Sequence, residues 1–198
     1  SDPYVSPVRF SDLRFYNPDI YAWLFIPGTD ISLPLLQHSS DDSFYLSHAP
    51  DGSESSSGSL YTEARWSDLM FEKPVSIIYG RRTADRLGTL QRYYSENDSL
   101  DRYSDLYVFT PDERLHYRVF CASEFSSIYI PQYYRGFSDQ KNISSFISDV
   151  LSYHTMIRQA VDGYVADSDN RILVLVTGLS QKEDKRFLVL AELVDETG

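Results

Sequence analysis

The chain has 198 residues, enough for one domain, or two small ones, with a buried core. Hydrophobic residues make up 42% and aromatics 15%, which excludes a disordered chain, and the 16 tyrosines and 11 phenylalanines suit a β-rich protein. A formal net charge of -11 leaves no basic footprint for nucleic acid, and the single cysteine, Cys121, excludes an internal disulfide and a cysteine-rich zinc site.

In chain order, residues 5–17 read as a short helical segment, with Ser11 or Asp12 as N-cap and Pro18 as breaker. "YAWLFIPGTDISLPLLQ" predicts two strands, 22–26 and 31–36, around Pro27-Gly28. "DGSESSSGS", 51–59, is a polar loop whose low complexity predicts mobility. "SLYTEARW" and "VSIIYG" read as strands, and "ADRLGTLQRYY" as a short helix broken at Gly88. Strands 105–110 and 115–123 flank the turn Pro111-Asp112-Glu113. Ile143, Phe146, Ile147, Val150 and Leu151 mark an amphipathic helix capped by Asn142. "RILVLVTGL" and "RFLVLAELV" are apolar strands joined by "SQKEDK". Many short strands with one good helix predict a mainly β barrel or sandwich with helical decorations. No run has the apolar length of a membrane span, and the opening "SDPYVSP" reads as a trimmed start, which leaves room for an anchor in the full-length protein.

Chemistry is sparse by spacing. His38, His48, His116 and His154 form no paired-ligand motif, so neither a metal nor another cofactor is expected. Cys121 alternates with Leu115, Tyr117 and Val119, which predicts one shared strand face and a buried, inert thiol. No nucleophile elbow, phosphate loop or dinucleotide fingerprint is present. "SIIYGRRT" stands out, because two arginines, Arg81 and Arg82, follow a strand that stops at Gly80.

The order of segments resembles the class B sortases, bacterial cell-wall transpeptidases. "NPDIYAWLFIPGTDISLPLLQ" is similar to their N-P-D-I-x-x-W-I-x-I-P-G-T-x-I-x-x-P-V-x-Q opening. "FYLSHAPDGSESSSGSLY" is similar to Y-L-x-H-x-x-x-G-x-x-x-x-x-G-S-I-F, "IIYGRRT" sits where the family has I-I-Y-G-H, and "LVLVTGLS" where it has T-L-S-T-C. The resemblance covers residues 10–195 and implies one domain. It would be a closed β-barrel of about eight strands, about 20–195, with an N-terminal helical segment. The helix at 143–158 would lie between strands six and seven. It also implies a place on the outer face of a Gram-positive membrane or in its cell wall, anchored in the full-length protein.

In that family a cysteine thiolate attacks a sorting-signal carbonyl, a histidine moves protons, and an arginine donates to the developing oxyanion. Carried over residue by residue, the cysteine position is Gly178, the histidine position Arg81 and the arginine position Arg186, with Thr177 matching the family threonine. Glycine has no nucleophile, and a guanidinium cannot serve as a base. The resemblance with these departures implies an inactive sortase-like protein binding a sorting-signal-like peptide or a peptidoglycan-related ligand through Arg81, Arg82, Arg186, Thr177 and Ser180. Ion pairing of Arg81 with a nearby carboxylate is the plain alternative. Two other readings stay open: a peptidase or transpeptidase using Ser180 or Thr177, and a scaffold that docks other surface proteins during pilus or surface-protein assembly.

Overall fold

The computed structural model describes residues 3–165, 169–179 and 182–198. Among them, nine strands form one sheet: β1 Ile20–Phe25, β2 Ser32–Leu36, β3 Leu60–Tyr61, β4 Val75–Tyr79, β5 Asp105–Phe109, β6 Arg114–Ser126, β7 Arg158–Ala160, β8 Ile172–Leu179 and β9 Lys182–Thr197. The spatial order β5-β1-β2-β3-β4-β8-β9-β6 closes on itself, because β5 also pairs with β6. Eight strands thus make the mainly β barrel that was expected, and closure removes exposed edges. The short β7 adds to the far end of β6. Helices α1 Phe10–Tyr16, α2 Leu90–Tyr93, α3 Ser99–Arg102, α4 Ile130–Tyr133 and α5 Gln140–Ser152 decorate it. No described helix is long and apolar enough to cross a membrane.

The core has two layers. Leu24, Leu35, Ile78, Leu115, Leu175 and Val189 fill the barrel. Outside it, Ile143, Phe146, Ile147 and Val150 of α5 pack on Ile77, Val174, Leu188 and Leu190. Strand β8 is therefore covered on both faces, which explains the unbroken apolar run "ILVLV".

Several local expectations change. Cys121 leaves the face of Leu115, Tyr117 and Val119, because β6 shifts register between Val119 and Cys121. The bulge turns Phe120 and Cys121 together toward α5 and returns Ala122 to the barrel interior. The α5 N-cap is Asp139, whose carboxylate accepts the Asn142 N–H at 2.9 Å, and the helix stops at Ser152, where the backbone of Tyr153 becomes extended. Arg9, not Ser11 or Asp12, is the N-cap of α1. The strand in "SLYTEARW" shrinks to β3, because the Glu63 carbonyl accepts from the N–H groups of Trp66 and Ser67 and coils the chain. Most of "SQKEDK" belongs to β9, which starts at Lys182.

The loop at 51–59 is pinned. Ser55 and Ser59 donate backbone N–H groups to the carbonyls of Ser47 and Tyr45, both at 2.9 Å, and Asp51 accepts from the Ser53 amide and hydroxyl. Gly58 allows this approach, with φ of +58° and a Cβ position only 2.5 Å from the Tyr45 carbonyl oxygen. Gly58→Ala is expected to lower stability by about 1–3 kcal/mol in denaturant unfolding. Gly52→Ala, also at positive φ but facing open space, is expected to cost less.

Candidate functional site

The parallel pairing of β4 with β8 runs in register from Val75↔Ile172 to Tyr79↔Val176. One residue on, the Gly80 N–H donates to the Val176 carbonyl at 3.1 Å, so β4 ends level with Thr177 and Gly178. Beyond Gly80 the chain folds back, with Leu87 N–H on the Arg81 carbonyl at 3.0 Å and the Leu87 side chain fully buried. That turn leaves Arg81 and Arg82 exposed at its outer edge. On the other side of β8, Gly178 lies opposite Arg186 of β9.

These strand ends border a groove of about 690 Å³. Arg81, Arg82, Thr177, Gly178, Glu183 and Arg186 line one end, and Tyr61, Glu63, Tyr79 and Tyr129 line another part of its wall. Ser56 is the part of the 51–59 loop that reaches it, and the groove stays open. Five of the six expected site residues therefore come together. Ser180 lies outside the described residues.

Arg81 and Arg186 are fixed by backbone, not by acids. Arg81 Nε donates to the Leu46 carbonyl at 2.7 Å. Arg186 Nη1 donates to the carbonyls of Glu183 and Lys185 at 2.9 and 2.8 Å. Among the described residues, none of Arg81, Arg82 and Arg186 forms a salt bridge, so the plain ion-pair account of Arg81 does not hold there. Gly178 leaves space, since a Cβ built there meets only the Arg82 Cβ, at 3.8 Å. Thr177 is 3% exposed, and its hydroxyl has no hydrogen-bond partner.

The other wall was missed in the sequence, where Glu63 read as a strand residue. Tyr61 and Tyr79 stack at 5.4 Å and form a floor between Glu63 and Arg81, both of which act electrostatically on the Tyr61 hydroxyl. Burial, with Glu63 adding to it, pushes Tyr61 up to about 12. Glu63 Oε2 accepts from the Tyr129 hydroxyl at 2.6 Å, which in turn accepts from Trp66 Nε1 at 2.7 Å. Glu63 Oε1 and the Tyr79 hydroxyl are buried neighbours whose geometry falls short of a hydrogen bond. Burial raises the Glu63 pKa, against the lowering influence of the Tyr129 hydroxyl. The tyrosines of "SLYTE" and "IIYG", one strand residue from each turn, were the available signal.

The other reactive side chains lie elsewhere. Cys121 is fully buried behind α5, and burial pushes its thiol up to about 12. His38 and His48 both stack on Phe44, at 4.5 and 3.7 Å from its ring, and neither lines the groove. His116 is held by Asp105 at 2.7 Å, and His154 is exposed beyond α5. No described cluster of three or more His, Cys, Asp or Glu could hold a metal ion.

The fold aligns over nearly its whole length with solved structures. A class B sortase of Streptococcus pyogenes involved in pilus biogenesis aligns with a TM-score of 0.79 at 22% identity, covering 94% of this chain and 98% of that one. Clostridium perfringens sortase B aligns at 0.77 and 21%, covering 94% and 100%. A Staphylococcus aureus sortase B–substrate complex aligns at 0.77 and 18%, covering 96% and 87%. In sequence, Listeria monocytogenes sortase B is 35% identical over 74 residues, which is 37% of this chain and 29% of that protein. The chain has a sortase B-like fold. The sequence match to the curated relative spans less than a third of its length, so the likeness of the sortase B-like chain to it rests mainly on fold. No protein-family model matches.

Glu63 gives the sortase B-like groove a pH signature. Its folded pKa lies above that of the unfolded chain, so the fold keeps a proton the unfolded chain has released. Stability then falls as pH rises from the ordinary glutamate value, about 4.3, through the folded value. Glu63→Gln, whose amide oxygen still accepts from Tyr129, is expected to have a higher Tm than wild type at about pH 8. The difference should vanish near pH 4, as read by thermal unfolding at both pH values.

Proposed function

We propose that this sortase B-like protein holds a peptide in its groove without cleaving it. The observation that carries the reading is the content of the groove end: Gly178, Thr177, Glu183 and three arginines, with no cysteine or histidine lining it among the described residues. By the resemblance, Gly178 stands at the family's cysteine position, Arg81 at its histidine position and Arg186 at its arginine position. A peptide bond cannot be attacked from Gly178, and Arg81 cannot take a proton. The Thr177 hydroxyl has no base beside it, since nothing described accepts its proton.

What the groove retains is recognition. Arg186 still offers donors, and the aromatic wall offers apolar surface for side chains. The capture of a substrate by the Staphylococcus aureus protein supports a peptide as ligand class here. On this reading the protein works at the surface of a Gram-positive cell, where sorting-signal or cell-wall peptides are present.

The test is to incubate wild type with a library of sorting-signal peptides and follow binding by fluorescence anisotropy and cleavage by mass spectrometry. Binding without cleavage is expected, weakened about tenfold or more in Arg186→Ala. Cleavage by wild type overturns the reading, and its loss in Ser180→Ala would identify a serine enzyme instead. The Arg81→His plus Gly178→Cys double variant is the matched comparison. The Gly178→Cys thiol alone has room and sits among guanidinium groups, so it is expected to react with a thiol reagent at neutral pH far faster than buried Cys121.

A further inference from the structure

We infer that the groove takes its peptide by a free α-carboxylate, seated over Gly178 between the guanidinium groups of Arg81, Arg82 and Arg186. The inference rests on the peptide-binding reading and adds that a chain end is recognised, not an internal segment.

Four observations carry it. The chain has 29 acidic and 18 basic residues, yet three arginines line this end of the groove against one carboxylate, Glu183, and none of the three forms a salt bridge among the described residues. Like charges held together in an acidic protein call for an anion. Two of the three guanidiniums are already oriented by backbone carbonyls, Arg81 by Leu46 and Arg186 by Glu183 and Lys185. Pre-oriented donors lose little freedom on binding and suit the planar, two-oxygen shape of a carboxylate.

Space and polarity agree. Gly178 presents no side chain, and the nearest atom to a Cβ there is the Arg82 Cβ at 3.8 Å. Beside it Thr177 lines the groove, only 3% exposed, and its hydroxyl, buried from solvent, has no partner among the described residues. A neutral backbone carbonyl would need one or two donors and would add no charge to offset three arginines set against the single carboxylate of Glu183.

The rest of the groove selects among anions. Beyond the arginines come the stacked Tyr61 and Tyr79, then Glu63 with one buried oxygen unpartnered. A polyanion running along the groove would meet the Glu63 carboxyl. A peptide has one terminal charge, and then amide N–H groups and side chains that suit an acceptor and aromatic surface.

The experiment uses the full chain and matched fluorescein-labelled pentapeptide libraries, as C-terminal free acids and as C-terminal amides. Each library is made in two arms, one ending in L-residues and one in D-alanine, which separates a cleaved protein end from a cell-wall stem peptide. Free acids are expected to bind about tenfold tighter or more than amides. The preference is expected to shrink as salt is raised and to disappear in both Arg82→Ala and Arg186→Ala. Thermal unfolding of each variant separates loss of recognition from loss of fold. Equal affinity for acids and amides overturns the inference and leaves peptide binding intact. No binding in any arm overturns both. Retention of inorganic phosphate in preference to every free acid also overturns it, in favour of a different anion.

Discussion

The five-residue parallel ladder between β4 and β8 is the joint on which the site depends. Because Tyr79 pairs with Val176, the residue after β4 and the residues at the end of β8 meet at one height. A slip of one residue would invert every side chain of β4 and carry Arg81 away from Gly178. The antiparallel pairing of β8 with β9 does the same for Arg186. Three stretches far apart in sequence are thus brought to one point by hydrogen-bond register alone.

That register is held by burial on two sides. Parallel strands are stable when both faces are covered, and here the barrel interior covers one face of β8 and α5 the other. Phe146 sits at the centre of the outer layer, against Phe125, Tyr134 and Phe137. Such edge-to-face aromatic packing adds about 0.5–1.5 kcal/mol per pair beyond simple burial. The groove is therefore built on strand ends of β3, β4, β8 and β9 that this packing holds, with Arg81, Arg82 and Glu63 added from the segments that follow β4 and β3.

Much of the barrel was legible. Alternation showed the hairpin of β5 and β6, the 3.6-residue period showed α5, and the apolar runs showed β8 and β9. These are local patterns, and local patterns survive in a sequence. The family resemblance then brought Arg81, Thr177, Gly178 and Arg186 together before any coordinates, through the order of whole segments. Closure of β5 on β6 left no local mark, because each strand looks the same whether its partner is near or far in the chain. The bulge after Val119 left none either, since Phe120 and Cys121 are both apolar and fit either face. Glu63 was illegible for a different reason: its importance comes from Tyr129 and Trp66, one of them 66 residues away.

The bulge has one more consequence. By turning Cys121 outward beneath α5, it places the chain's lone sulfhydryl where neither solvent nor a second copy can reach it. No internal cross-link can form, and no exterior thiol is offered for an intermolecular one. The thiol is thus closed to disulfide exchange, and the sulfurs that an oxidising exterior can reach are the exposed thioethers of Met70 and Met156.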